Sequence, residues 1–162
     1  MQQKTAIIIG GIIYFAYLGI STFQRTKVWE NPETLLSAVI EQKHSKNTMA
    51  AAYFFRGNVR DRYQDYPGAL SDFNESLKRN TENILALNNR GIVRGIMNDF
   101  GGAVKDFDRS IQLKPEYTDA YYNRGIAKYQ LKQYSEACDD WEQASSMGST
   151  LARTALQKYC RK

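Results

Sequence analysis

Leu87-Asn88-Asn89-Arg90-Gly91, followed by Phe100, Ala103 and Phe107, is the middle copy of a pattern that occurs three times in this chain. The copy before it reads Tyr53-Phe54-Phe55-Arg56-Gly57 with Tyr66, Ala69 and Phe73, and the copy after it reads Tyr121-Tyr122-Asn123-Arg124-Gly125 with Tyr134, Ala137 and Trp141. Gly57, Gly91 and Gly125 are therefore equally spaced, each directly after an arginine. A unit of this length repeating without insertion is one supersecondary element that cannot bury its apolar face alone, so the copies must stack. None of the three blocks contains a catalytic constellation.

The period, together with the large residue four positions before Gly, the aromatic, the Ala, the second aromatic and Pro115 at the close of the second copy, resembles the tetratricopeptide repeat (TPR) family over residues 49 to 148. The resemblance implies two antiparallel helices per repeat and a protein-binding role without chemistry of its own. First helices are expected over 49–62, 84–97 and 118–131, and second helices over 66–79, 100–113 and 134–147. Glycine inside a helix ordinarily costs about 1 kcal/mol against alanine. At these positions it is expected to let the second helix approach, with Phe73, Phe107 or Trp141 opposite.

The flanks supply caps. Asn31-Pro32-Glu33 is a helix-start signal, since Asn caps free amides, Pro suits the first turn and an acid complements the dipole. A leading helix is expected over 32–43, with Leu35, Leu36, Val39 and Ile40 as its apolar stripe, then a polar loop over 42–48. Gly148-Ser149-Thr150 ends one helix and starts another, whose Leu151, Ala152, Ala155, Leu156 and Tyr159 seal the last repeat.

Ahead of the repeats, the stretch from Thr5 to Phe23 carries no charge and is bracketed by Lys4 and by Arg25 and Lys27. At about 1.5 Å per residue it would extend roughly 28 Å, close to the thickness of a bilayer core. The expectation is a transmembrane helix. The alternatives are a cleaved secretory signal, whose apolar part is ordinarily only about 7 to 15 residues, and a soluble core helix, which would need a polar face that this segment lacks. The expected fold is thus an all-α solenoid of three TPR hairpins with a leading helix and a C-terminal capping helix, preceded by one transmembrane helix. The division is 1–24 anchor, 25–48 juxtamembrane segment, 49–148 repeats (50–83, 84–117 and 118–148) and 149–162 cap. Lys4 against Arg25 and Lys27 gives almost no charge asymmetry, so the positive-inside rule does not orient the chain.

The segment Arg25 to Pro32, with Trp29 at its centre, bears a second resemblance, to the junction between the last membrane helix and the repeats of transmembrane and tetratricopeptide-repeat type glycosyltransferases. It implies extracytoplasmic, periplasmic-side repeats and a chain acting as an accessory or detached tail of such a transferase, and it carries over no catalytic residue.

Charge and residue usage exclude several functions. The chain has 22 Lys and Arg against 17 Asp and Glu, with the signs interspersed, which describes a solvated surface and no nucleic-acid partner. His44 is the single histidine, and the cysteine spacing fits no zinc motif. No enzyme, metal or cofactor is expected. Arg56, Arg90 and Arg124 precede Asp72, Asp106 and Asp140 at one constant interval. Because both partners recur together, they read as ion pairs joining the two helices of a repeat, in preference to a basic ladder for an acidic ligand.

With Tyr53, Gly57 and Arg60 facing the partner helix, the neighbouring stripe on the first helices is Phe54, Asn58 and Asp61, then Asn88, Ile92 and Gly95, then Tyr122, Ile126 and Tyr129. The TPR resemblance places this stripe in a concave groove. Its apolar content suggests a site for a protein or peptide partner, while contact between successive first helices is the other reading. TPR domains that hold acidic chaperone C-termini use basic residues where Phe54, Asp119 and Asn123 stand, so that ligand class is not expected. Cys138 and Cys160 lie at comparable distances on either side of Gly148, so a chain reversal there brings them level. They form either a disulfide, given an oxidising compartment, or a pair of small core residues.

Overall fold

A computed structural model describes residues 31–42 and 44–160. They form eight helices: α1 (Pro32–Glu41), α2 (Lys46–Arg62), α3 (Tyr66–Arg79), α4 (Ile84–Ile96), α5 (Phe100–Leu113), α6 (Thr118–Gln130), α7 (Tyr134–Ser146) and α8 (Thr150–Tyr159). Every helix packs against the next in sequence. Three hairpins, α2 with α3, α4 with α5 and α6 with α7, are stacked into a solenoid with α1 leading and α8 closing it.

Local chemistry sets the boundaries. The Asn31 side chain accepts from the Glu33 amide at 2.9 Å with Pro32 in the first turn. Asp65 and Asp99 cap the second helices through the amides of Gly68 and Gly102, at 3.0 and 2.9 Å. Between the helices of each hairpin one residue adopts the left-handed conformation: Gln64, Asn98 and Lys132, at φ 62°, 64° and 64°. These positions recur with the same spacing as the repeat glycines, so the three turns share one geometry. The polar stretch expected as a loop over 42–48 is shorter than that, because Ser45 accepts from the Thr48 amide at 3.3 Å and starts α2 at Lys46.

The core runs as a row of clusters between hairpins. Phe73 and Phe107 are buried among alanines from their own helix and a residue of the next hairpin, Val93 and Ala127. Trp141 plays the same part in the last hairpin, where Ala152 and Ala155 of α8 cover it.

Across each hairpin the recurring arginine holds the recurring aspartate with two hydrogen bonds. Arg56 reaches Asp72 at 2.7 and 2.9 Å, Arg90 reaches Asp106 at 2.6 and 3.0 Å, and Arg124 reaches Asp140 at 2.5 and 2.9 Å. These aspartates are buried, and the hydrogen bond to Asp72 holds the Arg56 guanidinium above its ordinary pKa against the opposing pull of burial. A second cation closes each site: Arg60, Arg94 and Lys128 lie 3.1, 2.8 and 2.8 Å from the same three carboxylates. The recurring arginine also reaches back one helix, Arg90 to Asn74 at 2.8 Å and Arg124 to Asp108 at 2.6 Å. For Arg56 the equivalent contact is Ser37 of α1, at 3.0 Å. The leading helix thus stands where the second helix of a preceding repeat would stand, and Glu33 adds a 2.8 Å ion pair to Arg60. A buried pair of this kind adds little net stability, because the cost of desolvating both charges offsets their attraction.

The anchored architecture expected from the sequence is corrected. The apolar stretch 5–23 lies outside the described residues, and no helix within them is long and apolar enough to cross a membrane. The longest, α2, has 17 residues and carries Lys46, Arg56, Arg60, Asp61 and Arg62, a charge load incompatible with a hydrocarbon core. A transmembrane helix, a membrane partner through residues 5–23 and a single-pass localisation with extracytoplasmic repeats therefore form no part of the described fold.

Candidate peptide-binding groove

The first helices of the hairpins, α2, α4 and α6, lie side by side, and the stripe singled out in the sequence falls on them. Its members divide by environment. Phe54 is half-buried, packs against the clusters of Phe73 and of Leu77, and has its ring 6.2 Å from that of Phe73. Ile92 packs against the Phe107 cluster, and Tyr122 and Tyr129 against the Trp141 cluster. The Tyr129 ring lies 4.9 Å from both Tyr134 and Tyr159. These four side chains join neighbouring helices while leaving part of their surface outward. Ile126 is exposed, at 39%. Asp61 is half-buried, and desolvation raises its carboxyl pKa above the ordinary 3.8.

The polar members connect to residues outside the stripe. Asn89 donates through Nδ2 to Oδ1 of Asn58 at 2.8 Å, and Asn123 donates to Oδ1 of Asn88 at 3.2 Å. Asn88 in turn donates to Asn89 at 3.4 Å, so four carboxamides link α6, α4 and α2 head to tail. Asn88 is buried at 4% and serves as the internal link, whereas Asn58, Asn89 and Asn123 are half-buried. A carboxamide offers two donor hydrogens and two acceptor lone pairs. The three half-buried members therefore keep hydrogen-bonding capacity beyond the bonds they make to each other.

Sequence reasoning does not select Asn89 and Asn123. The signal is nonetheless present: both stand immediately before the repeat arginine, one period apart. Also unselected is the cavity of about 350 Å3 between α4 and α6, whose lining adds Ile96 and Asn98 to the stripe members Ile92, Gly95 and Ile126. Cys138 and Cys160 are joined, with an S–S distance of 2.04 Å, tying the end of α8 to α7. Among the described residues no group of His, Cys, Asp or Glu could hold a metal ion. These residues form an all-helical scaffold without catalytic architecture.

Fold and repeat together define a TPR-like α-solenoid. Residues 96–132 match the TPR repeat family. Among solved structures, the first TPR domain of Spaghetti (RPAP3) bound to the HSP90 peptide SRMEEVD is similar at a TM-score of 0.69 and 23% identity, covering 73% of this chain and 95% of that one. The Arabidopsis OM64 TPR domain gives 0.70 and 21%, covering 72% and 98%. The second TPR domain of human RPAP3, in complex with the HSP70 peptide SGPTIEEVD, gives 0.69 and 26%, covering 73% and 100%. No curated protein matches the chain. These likenesses are to TPR domains, so the expected tie to membrane glycosyltransferases is set aside together with the membrane anchor.

Proposed function

We propose that this chain is a docking scaffold whose α2, α4 and α6 face binds an extended segment of another protein. The observation that carries the proposal is the row of carboxamides Asn58, Asn89, Asn88 and Asn123 running across three hairpins. A peptide laid across the first helices presents its own amides at intervals of about 3.4 Å per residue. Half-buried carboxamides can pair with those groups without reading side chains. The similar RPAP3 domains with HSP90 and HSP70 peptides bound support the choice of a peptide as the ligand. Both of those peptides carry more acidic than basic residues, and the TPR resemblance implies cations for such a ligand where Phe54, Asp119 and Asn123 stand in this chain.

The mechanism is passive. Stacked hairpins hold the face in one shape before the ligand arrives, which lowers the ordering cost of binding. Phe54, Ile92, Tyr122, Ile126 and Tyr129 supply apolar contact around the amides, with Asp61 at the α2 end of the same stripe.

A photo-crosslinking residue placed at Ile126, on this face, and another at Lys105, exposed on α5, test the assignment in cells. Capture of a protein partner from position 126 and not from 105, lost on Asn58→Ala with Asn89→Ala at unchanged melting temperature, is the expected result. Equal capture from both positions would overturn it.

A further inference from the structure

We infer that the cavity between α4 and α6 receives one apolar side chain, leucine, isoleucine or phenylalanine, of an uncharged stretch of the docked peptide. The inference rests on the groove reading above and names what that groove selects.

The cavity arises from a missing side chain. Gly95 occupies the repeat position held by Asp61 in the first hairpin and Tyr129 in the third. A Cβ built on it would meet no atom within 4 Å. Gly95 is the last residue but one of α4, and there, unlike at Gly91 against Phe107, no neighbouring side chain requires glycine. The space left open, about 350 Å3, is walled by Ile92, Ile96, Phe107 and Ile126. An apolar cavity of roughly 150 Å3 already accepts benzene, so a branched aliphatic or phenyl group has room.

Charge selects the occupant. No lining residue of the cavity is ionisable, and its polar members, Asn98, Asn123 and Gln130, are neutral amides. A carboxylate or ammonium placed there would give up part of its hydration to apolar walls with no counter-ion to replace it. Asn123 belongs both to the cavity wall and to the carboxamide row. A side chain seated in the cavity therefore brings its own backbone to the end of that row. The match is to a neutral segment with one apolar anchor, in contrast to an acidic terminus.

The test pans a random dodecapeptide library on the full chain and measures the selected peptides by fluorescence polarisation. The expected peptides share one apolar residue in a neutral stretch, and changing it to alanine weakens binding at least tenfold. Gly95→Leu fills the cavity from a position with open space, so its melting temperature should not fall, while affinity drops at least tenfold. Peptides that bind Gly95→Leu as well as wild type but lose binding to Asn58→Ala with Asn89→Ala would overturn the cavity inference and leave the groove standing. Selected peptides sharing an acidic terminus would also overturn it. Peptides indifferent to both variants, or a library yielding no binder, would overturn the groove reading as well.

Discussion

The indole of Trp141 fills the space that a side chain on Gly125 would need: a Cβ there would stand 2.5 Å from Nε1, and that same nitrogen donates to the Tyr122 carbonyl at 3.2 Å. Gly125→Ala must therefore push a buried ring and break its hydrogen bond. Overpacking of this kind costs about 1–3 kcal/mol, against a helix-propensity gain of about 1 kcal/mol. A net loss of stability is expected in urea denaturation. Gly95→Ala is the internal control, since its Cβ meets nothing within 4 Å. It should not lose stability, and because Gly95 stands at the last turn of α4 its gain should be smaller than the roughly 0.5–1 kcal/mol of a mid-helix glycine.

Gln64, Asn98 and Lys132 hold the left-handed conformation at the three inter-helix turns. For an L-residue this costs about 1–2 kcal/mol, with asparagine better tolerated, and glycine removes that cost while adding unfolded-state entropy. Gln64→Gly and Lys132→Gly should each raise stability by up to about 1 kcal/mol. Asn98→Gly should give less. Thermal melts of the three variants check the ranking.

How far these features are legible in the sequence depends on whether they are properties of one segment or of two. The repeat period locates the hairpins because a glycine, an alanine and an aromatic must recur wherever helices nest. The Arg56, Arg90 and Arg124 pairs are visible for the same reason. Their second cations, Arg60, Arg94 and Lys128, are not, although they lie four residues on and so on the same helix face. Nothing in the sequence says that one carboxylate serves two of them. The carboxamide row links side chains from different repeats, as Asn89 to Asn58, and depends on which first helices lie side by side. Gly95 is legible as a member of the stripe, but the space beside it is not, because that space is walled by residues of two repeats. The apolar run 5–23 offers only composition and length, and those do not tell which surroundings a segment occupies.

Asp106 is 3% exposed and faces Arg90 and Arg94, whereas Asp108 is 52% exposed at its side chain and faces Arg124. Removing one partner of a buried pair typically costs about 3–5 kcal/mol, and an exposed pair contributes about 0–1 kcal/mol. Asp106→Asn should sharply lower the denaturation midpoint and Asp108→Ala should barely move it. Similar losses from both would show that burial does not set the energetic weight of these pairs.

Burial raises the Asp61 carboxyl above its ordinary pKa of 3.8. The folded state thus binds this proton more tightly than the unfolded state, so the ionised form opposes folding. The associated stability is fully present below pH 3.8 and is lost as pH rises through the higher folded value. Asp61→Asn should melt above wild type at pH 7, and the difference should close as pH falls below the ordinary carboxylate range. A gap that widens on acidification would reverse the assignment.

Cys138 and Cys160 close a loop with a sequence separation of 22 residues. By the loop-entropy estimate such a bond contributes about 3 kcal/mol, within a usual range of about 2–4 kcal/mol. Its location directs the loss to one end of the solenoid, because α8 is what covers Trp141 there and Tyr159 lies 5.7 Å from that indole, ring to ring. Cys138→Ser with Cys160→Ser, or treatment with a thiol reductant, should therefore lower stability and, with Trp29 replaced by Phe so that one tryptophan remains, shift the Trp141 emission as the ring becomes wet. Hydrogen exchange should rise in α8 and α7 and stay unchanged in α2 and α3, because each hairpin packs mainly on its neighbours. Loss of protection spread evenly over α2 to α8 would instead mean that the cap and all three hairpins unfold as one unit.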